Sequence, residues 1–267
     1  MEFNRSLSSL IEVLKNIAVA QYRILEQKIK TYHEFLTTVE SFFELIDIQN
    51  IAHPFLKPKN QNQIILTITS DTGLLGGLNM EVINLALIEL EKMPGKLVVV
   101  GEKGSYYARD FGVPFVFFKG IQEETRFSQA VQMRDYLLRR FLEENIGYLK
   151  IVYPHPVSFT VQRAYLESIL PFKVPLEERT KVLGVILESQ PFRLVEYLIY
   201  LWLGQKLYEI FSLSKLAEFA ARFVHLEEST QKLKEQALKL RLQYFRLRHE
   251  LIDRNMRELF SARILYR

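Results

Sequence analysis

Towards the C-terminal end, Phe219, Phe223, Leu226, Thr230, Leu233, Ala237, Leu240, Tyr244, Leu247 and Leu251 recur with strictly alternating spacings of four and three. That repeat predicts the heptad seam of a coiled coil. A matching but weaker seam runs through the N-terminal part: Ile11, Leu14, Ala18, Gln21, Leu25, Lys28, Tyr32, Phe35, Val39, Phe42 and Ile46. Gln21 and Lys28 interrupt it, as polar residues that fix register do. At 1.5 Å per residue the two helices would extend roughly 70 and 100 Å, so each needs a partner along its length. The simplest solution is an antiparallel two-stranded coiled coil within one chain.

The punctuation residues set the limits of these helices. All nine prolines lie between Pro54 and Pro191, and of the eleven glycines only Gly204 lies outside that interval. Proline and glycine disfavour helix interiors by about 3 and 1 kcal/mol, so their absence permits long helices at both ends. Between them, short β-branched runs at Ile64–Thr69, Leu97–Val100, Phe115–Phe118, Leu149–Tyr153 and Leu183–Leu187 alternate with helical stretches. The helical stretches are Leu78–Lys92, Ser105–Phe111, Glu123–Glu144 and Ser158–Ser168. Such alternation predicts a parallel-sheet, Rossmann-like α/β domain. The expected organisation is therefore an N-terminal coiled-coil helix over 1–56, an α/β domain over 57–190 and a C-terminal coiled-coil helix over 191–267.

Composition narrows the chemistry. The chain of 267 residues is 48% hydrophobic, enough for a folded core, and its net charge of +4 is too mild to mark a nucleic-acid binder. It has no cysteine, which excludes disulfides, thiolate metal sites and cysteine nucleophiles. No window approaches the roughly 18 apolar residues of a membrane span. The expectation is a soluble chain, at most peripheral to a membrane.

The glycine cluster Ser70-Asp71-Thr72-Gly73-Leu74-Leu75-Gly76-Gly77-Leu78-Asn79 follows the first strand and opens a helix, a place that can cradle phosphate. It matches neither GxGxxG nor GxxxxGK[ST], and no lysine follows within reach. The favoured reading is a tight strand-to-helix turn, with Ser70, Asp71, Gly73, Gly76, Gly77 and Asn79 as structural residues and Asp71 or Asn79 as the cap. Val100-Gly101-Glu102-Lys103-Gly104 reads as a second such turn. The five histidines are scattered and the carboxylates sit singly, so no catalytic set, cofactor site or metal site is expected. From Lys239 to Arg267, eight basic residues, seven of them arginine, face only three acids. Arginine engages carboxylates bidentately, which points to an acidic protein partner.

Taken together, these residues resemble the gamma subunit of F-type ATP synthases. Ile68 to Asn79 is similar to that family's ITSDRGLCGGLN stretch, with Thr72 in place of arginine. Leu97–Gly101, Val152-Tyr153 and Leu170-Pro171 resemble its later landmarks. Along the C-terminal helix, Leu187-Glu188, Glu218, Ala220, Ala221, Arg222, Thr230, Tyr244, Arg248, Ile252, Glu258 and Ser261 fall on its pattern. Ser189 stands for a proline, and the glycine-rich tail is replaced.

The resemblance implies a central-stalk rotor, non-catalytic and without cofactor. It would couple rotation of a membrane ring to ATP synthesis or hydrolysis on an alpha/beta hexamer, at the cytoplasmic face of the plasma membrane. Its implied partners are the alpha and beta subunits, an epsilon subunit and the ring of c subunits. Arg246, Arg248, Arg254, Arg257 and Glu258 would meet the hexamer, and Glu188 the ring or epsilon. Three other readings are a shaft of a sodium-type or paralogous rotary machine, a nucleotide-dependent enzyme with a coiled-coil arm, and a nucleic-acid binder.

Overall fold

The computed structural model describes residues 2–29, 32–44, 51–173 and 190–265. The chain divides into two compact units, Ala18–Phe223 and Met1–Ile17 with Val224–Arg267. The larger unit is built on a five-stranded sheet in the order β3-β2-β1-β4-β5. Strands β1 (Gln63–Ile68), β2 (Gly95–Val100), β3 (Phe115–Phe118) and β4 (Tyr148–Pro156) are parallel; β5 (Gln162–Leu170) runs antiparallel to β4.

Side-chain alternation along the strands divides the interior into two cores. Ile64, Leu66 and Ile68 of β1, with Val98, Val100, Leu149 and Ile151, face helix α5 (Arg126–Glu143), helix α2 (Tyr32–Glu44) and the long helix α6 (Pro191–Leu265). Ile65, Leu97, Val99 and Val152 face helices α3 (Leu78–Lys92) and α4 (Glu102–Asp110). Each aliphatic side chain so buried stabilises the fold by about 1.5–3 kcal/mol. Pro94 ends α3, and the glycines before Leu78 leave it a free start, which is why its bounds are those the sequence predicts.

The helix expected over Ser158–Ser168 is a strand instead. Ala164, Leu166 and Glu167 favour helix, but β4 offers an open edge and the turn at Ser158 closes a hairpin. Ser158 Oγ accepts the N–H groups of Thr160 at 3.3 Å and Val161 at 3.1 Å, and β5 then pairs with β4 from Gln162 to Leu170. Tertiary pairing overrides propensity here. The expected strand Leu183–Leu187 and Glu188 lie outside the described residues.

The N-terminal stretch contains two described helices, α1 (Glu2–Ile29) and α2. Within the larger unit both run antiparallel to α6. Leu25 packs on Leu216 and Phe219, whereas Glu40, further on, accepts the Trp202 indole N–H at 2.9 Å. The predicted seam holds for Ile11, Ala18, Leu25 and Val39, which are buried, but slips by one residue on either side of Val39 in α2. There Leu36, Val39 and Phe43 are buried, and Phe35 and Phe42 are exposed. The reason is the neighbour: α2 packs on the broad core beside Phe172 and Trp202 rather than along a narrow helix pair. Gln21 reaches sideways to Glu123, before α5, at 3.2 Å. In the smaller unit Lys15 pairs with Glu227, whose carboxyl is held below its ordinary value by that hydrogen bond.

His53 is buried between the rings of Phe55 and Phe192, and its Nδ1 accepts the Phe55 N–H at 3.1 Å. Burial, aided by Lys59, pushes its pKa from 6.5 down to about 4. The unfolded chain therefore takes up this proton near pH 6.5 and the folded chain only near 4. The folded chain therefore loses stability as pH falls from 6.5 to about 4; the loss is absent above 6.5 and levels off below 4. His53→Asn keeps an acceptor for Phe55 and removes the titration. Urea unfolding followed by fluorescence of Trp202, the single tryptophan, is expected to lose part of its pH dependence between 6.5 and 4 in that variant.

Candidate partner-binding site

The turn after β1 is held by its own side chains. Asn79 Oδ1 accepts the Ser70 N–H at 3.1 Å, and Asn79 Nδ2 donates to Ser70 Oγ at 2.9 Å. Ser70 Oγ donates in turn to the Thr72 carbonyl at 2.6 Å. Gly76 has a φ of 59°, the left-handed conformation that glycine adopts without strain. Neither expected cap serves α3, whose N-cap is Gly77 with no side-chain bond. Asp71 instead accepts the N–H of Glu102, the first residue of α4, at 2.9 Å, and that of Gly120 at 3.0 Å. Its carboxylate thus ties the loops after three strands together at a helix N-terminus, where negative charge is favourable.

The same turn seats on α6. Leu75 and Leu78 pack against Ala221. Thr72 Oγ1 donates to Glu218 at 3.2 Å and accepts from Arg222 at 2.6 Å; Glu218 also receives Arg222 at 2.6 Å and Lys215 at 2.8 Å. Glu218 is buried and fully paired by this clasp. In open parallel sheets, ligands sit outside the carboxyl ends of the strands where strand order reverses, here between β1 and β4. Beside that position Ser214, Lys215 and Glu218 of α6 leave a cavity of about 10 Å³, room for at most one water. The glycine turn therefore has its helix partner where a phosphate would lie. Sequence spacing shows Lys215, Glu218 and Arg222 as helix neighbours; their link to Thr72 has no sequence signal.

A wider cleft of about 850 Å³ lies between α1, the β4–β5 hairpin and α6, lined by Tyr22, Arg23, Glu26, His155, Phe159 and Phe223 among others. Burial lowers the His155 pKa. Deeper in, Tyr153 donates to Glu167 at 2.9 Å, and burial together with that carboxylate raises the phenol's pKa. Lys206 pairs with Glu167 at 2.9 Å and Glu209 at 3.0 Å; burial opposes its charge, and the two carboxylates prevail and raise its pKa. These groups are engaged with one another. Among the described residues no cluster of histidine and carboxylate could hold a metal ion, and no helix is long and apolar enough to cross a membrane.

The smaller unit carries the predicted partner residues. In α6 the seam stays at least half-buried to Leu233; beyond it Ala237, Leu240, Tyr244, Leu247 and Leu251 are all exposed, so the expected coiled coil covers only the first part of the seam. At 3.6 residues per turn the exposed apolar residues form two stripes. Leu240, Tyr244, Leu247 and Leu251 make one; Leu238, Phe245, Ile252, Met256 and Leu259 make the other. Arg248 falls in the narrow gap between them, and Arg246, Arg254 and Arg257 share the remaining face of the helix. Arg254 Nε lies 3.4 Å from Glu258, both exposed, and Arg257 donates to the Asp253 carbonyl at 3.2 Å. Glu188 is not among the described residues.

A family model described as ATP synthase matches residues 2–263. The chain belongs to the ATP synthase family. Among curated members, the ATP synthase gamma chain of Clostridium novyi (strain NT) is 27% identical over 254 residues, covering 92% of this chain and 88% of the relative. That of Desulforudis audaxviator (strain MP104C) is 26% identical over 281 residues, covering 97% and 94%. The fold is shared with an ATP synthase chain solved from Euglena gracilis mitochondria in an OSCP/F1/c-ring assembly. Its TM-score is 0.68 and its identity 18%, with 98% of this chain and 90% of that chain covered. A chain of the Tetrahymena thermophila mitochondrial ATP synthase central stalk and c-ring gives a TM-score of 0.62 at 18% identity, covering 83% and 99%.

Proposed function

We propose that this chain is the central-stalk rotor subunit, gamma, of an F-type ATP synthase, and that it performs no turnover itself. The observation that carries the reading is the uncovered stretch of α6, with two apolar stripes and an arginine face beside them. Such a helix gains stability from partners that bury the stripes and offer carboxylates to the cations. Because its sides differ, turning it presents leucine, aromatic and arginine surfaces in succession to each catalytic site. Each site is thereby shifted among nucleotide affinities by differential contact. The sheet domain would meet the epsilon subunit and the c ring, and the complex would sit at the cytoplasmic face of the membrane. The filled crevice after β1 supports a non-catalytic role. The test is co-purification with alpha and beta subunits; a chain that stays free of them, or that binds ATP with micromolar affinity when isolated, is not this subunit.

A further inference from the structure

Arg126 opens helix α5 and is buried, with only 6% of its surface exposed. Its guanidinium lies over the Tyr208 ring of α6, 5.8 Å from the centroid, and its Nε and Nη1 have no hydrogen-bond acceptor. A cation removed from water without an anion is costly, and native interiors rarely leave one so. Phe127, the next residue, stacks edge-on against the same tyrosine at 5.4 Å while remaining 56% exposed. The nearest acids in sequence, Glu123 and Glu124, are exposed on the surface, and Glu123 is engaged by Gln21. The side chain of Thr125 does not cap the helix, so the positive end of α5 adds to the charge at this point.

We infer that Arg126, Phe127 and Tyr208 form a docking point for a partner subunit that presents a carboxylate beside an apolar side chain. The missing anion defines the partner's charge, and the exposed ring gives it an apolar seat. Arginine with aromatic neighbours is the composition of interface hot spots. On docking, the long arginine side chain swings from the tyrosine face to the surface beside Phe127 and receives the carboxylate in its fork. In the free chain Nε and Nη1 of this guanidinium are held without an acceptor, so they destabilise the fold the residue later helps to assemble.

This rests on the rotor reading for the identity of the complex, and the two fail differently. Arg126→Met keeps the apolar stem and removes the charge. In the isolated chain it is expected to raise Tm by roughly 2–4 °C. A lower Tm, or failure to fold, overturns the inference, because it reveals an acceptor within the chain. In the purified complex, a benzoylphenylalanine photo-crosslinker in place of Phe127 is expected to label a partner subunit within a few residues of an aspartate or glutamate. Adding Arg126→Met is expected to lower that yield roughly tenfold. An intact alpha–beta–gamma complex with no crosslink from position 127 also overturns it. A chain that fails to join alpha and beta refutes the rotor reading instead, and the Tm comparison still decides the fate of Arg126.

Discussion

A chain carrying Arg248→Glu and Arg254→Glu is expected to fold normally and to fail in the machine. Both residues lie on the uncovered part of α6, where Arg254 makes only an exposed contact with Glu258. Exposed substitutions of this kind change stability by about 0.5 kcal/mol, so Tm of the isolated chain should shift by no more than about 2 °C. In the complex each reversal sets a carboxylate where an arginine is expected to meet acidic groups, and like charges across an interface cost several kcal/mol. ATP-driven ion pumping should fall roughly tenfold or more, while ATP hydrolysis by the assembled subunits persists in part. Measuring both in membrane vesicles separates loss of coupling from loss of assembly. Unchanged pumping would remove Arg248 and Arg254 from the mechanism.

The largest expected effect on folding comes from Gly101→Ala. Gly101 has a φ of 102°, and an added Cβ would lie 2.3 Å from the Thr69 carbonyl oxygen. Thr69 is itself committed: its N–H and its Oγ1 both donate to the Val100 carbonyl, at 2.8 and 2.6 Å, and Oγ1 accepts the Gly104 N–H at 3.1 Å. The ends of β1 and β2 cannot separate without breaking these bonds. A loss of about 3 kcal/mol or more is expected, from a strained conformation and a backbone clash together. Gly112→Ala provides the comparison. Its φ is 67°, but nothing lies within 4 Å of the added Cβ, so only the conformational cost of about 1–2 kcal/mol applies. Urea midpoints read from Trp202 fluorescence should rank Gly101→Ala well below Gly112→Ala, with equal slopes.

The contrast between these glycines illustrates what sequence can carry. Gly101 follows an apolar run and Gly112 the end of a helix, and the sequence distinguishes neither their φ nor what an added Cβ would meet. Proline acts locally on the backbone, and Pro191 does mark the start of α6. The bounds of α3 follow from such local signals at both ends. β5 does not, since Ala164, Leu166 and Glu167 favour the wrong structure and only the open edge of β4 corrects it. The slip of the α2 seam has the same origin: Phe42 and Phe43 are equivalent as letters, and the core beside Trp202 selects the second. The clasp of Thr72 with Glu218 joins residues 146 apart in sequence, and the burial of Arg126 depends on where Tyr208 falls. Each of these is set by tertiary distance.

The bare leucines and aromatics beyond Leu233 bear on how such a chain is made. Contiguous greasy surface of that extent adheres to whatever similar surface it meets first, including the same stretch on a sister molecule. Newly synthesised copies held apart from their sleeve would clump in proportion to their concentration. Subunit stoichiometry during synthesis is therefore part of what keeps this helix functional.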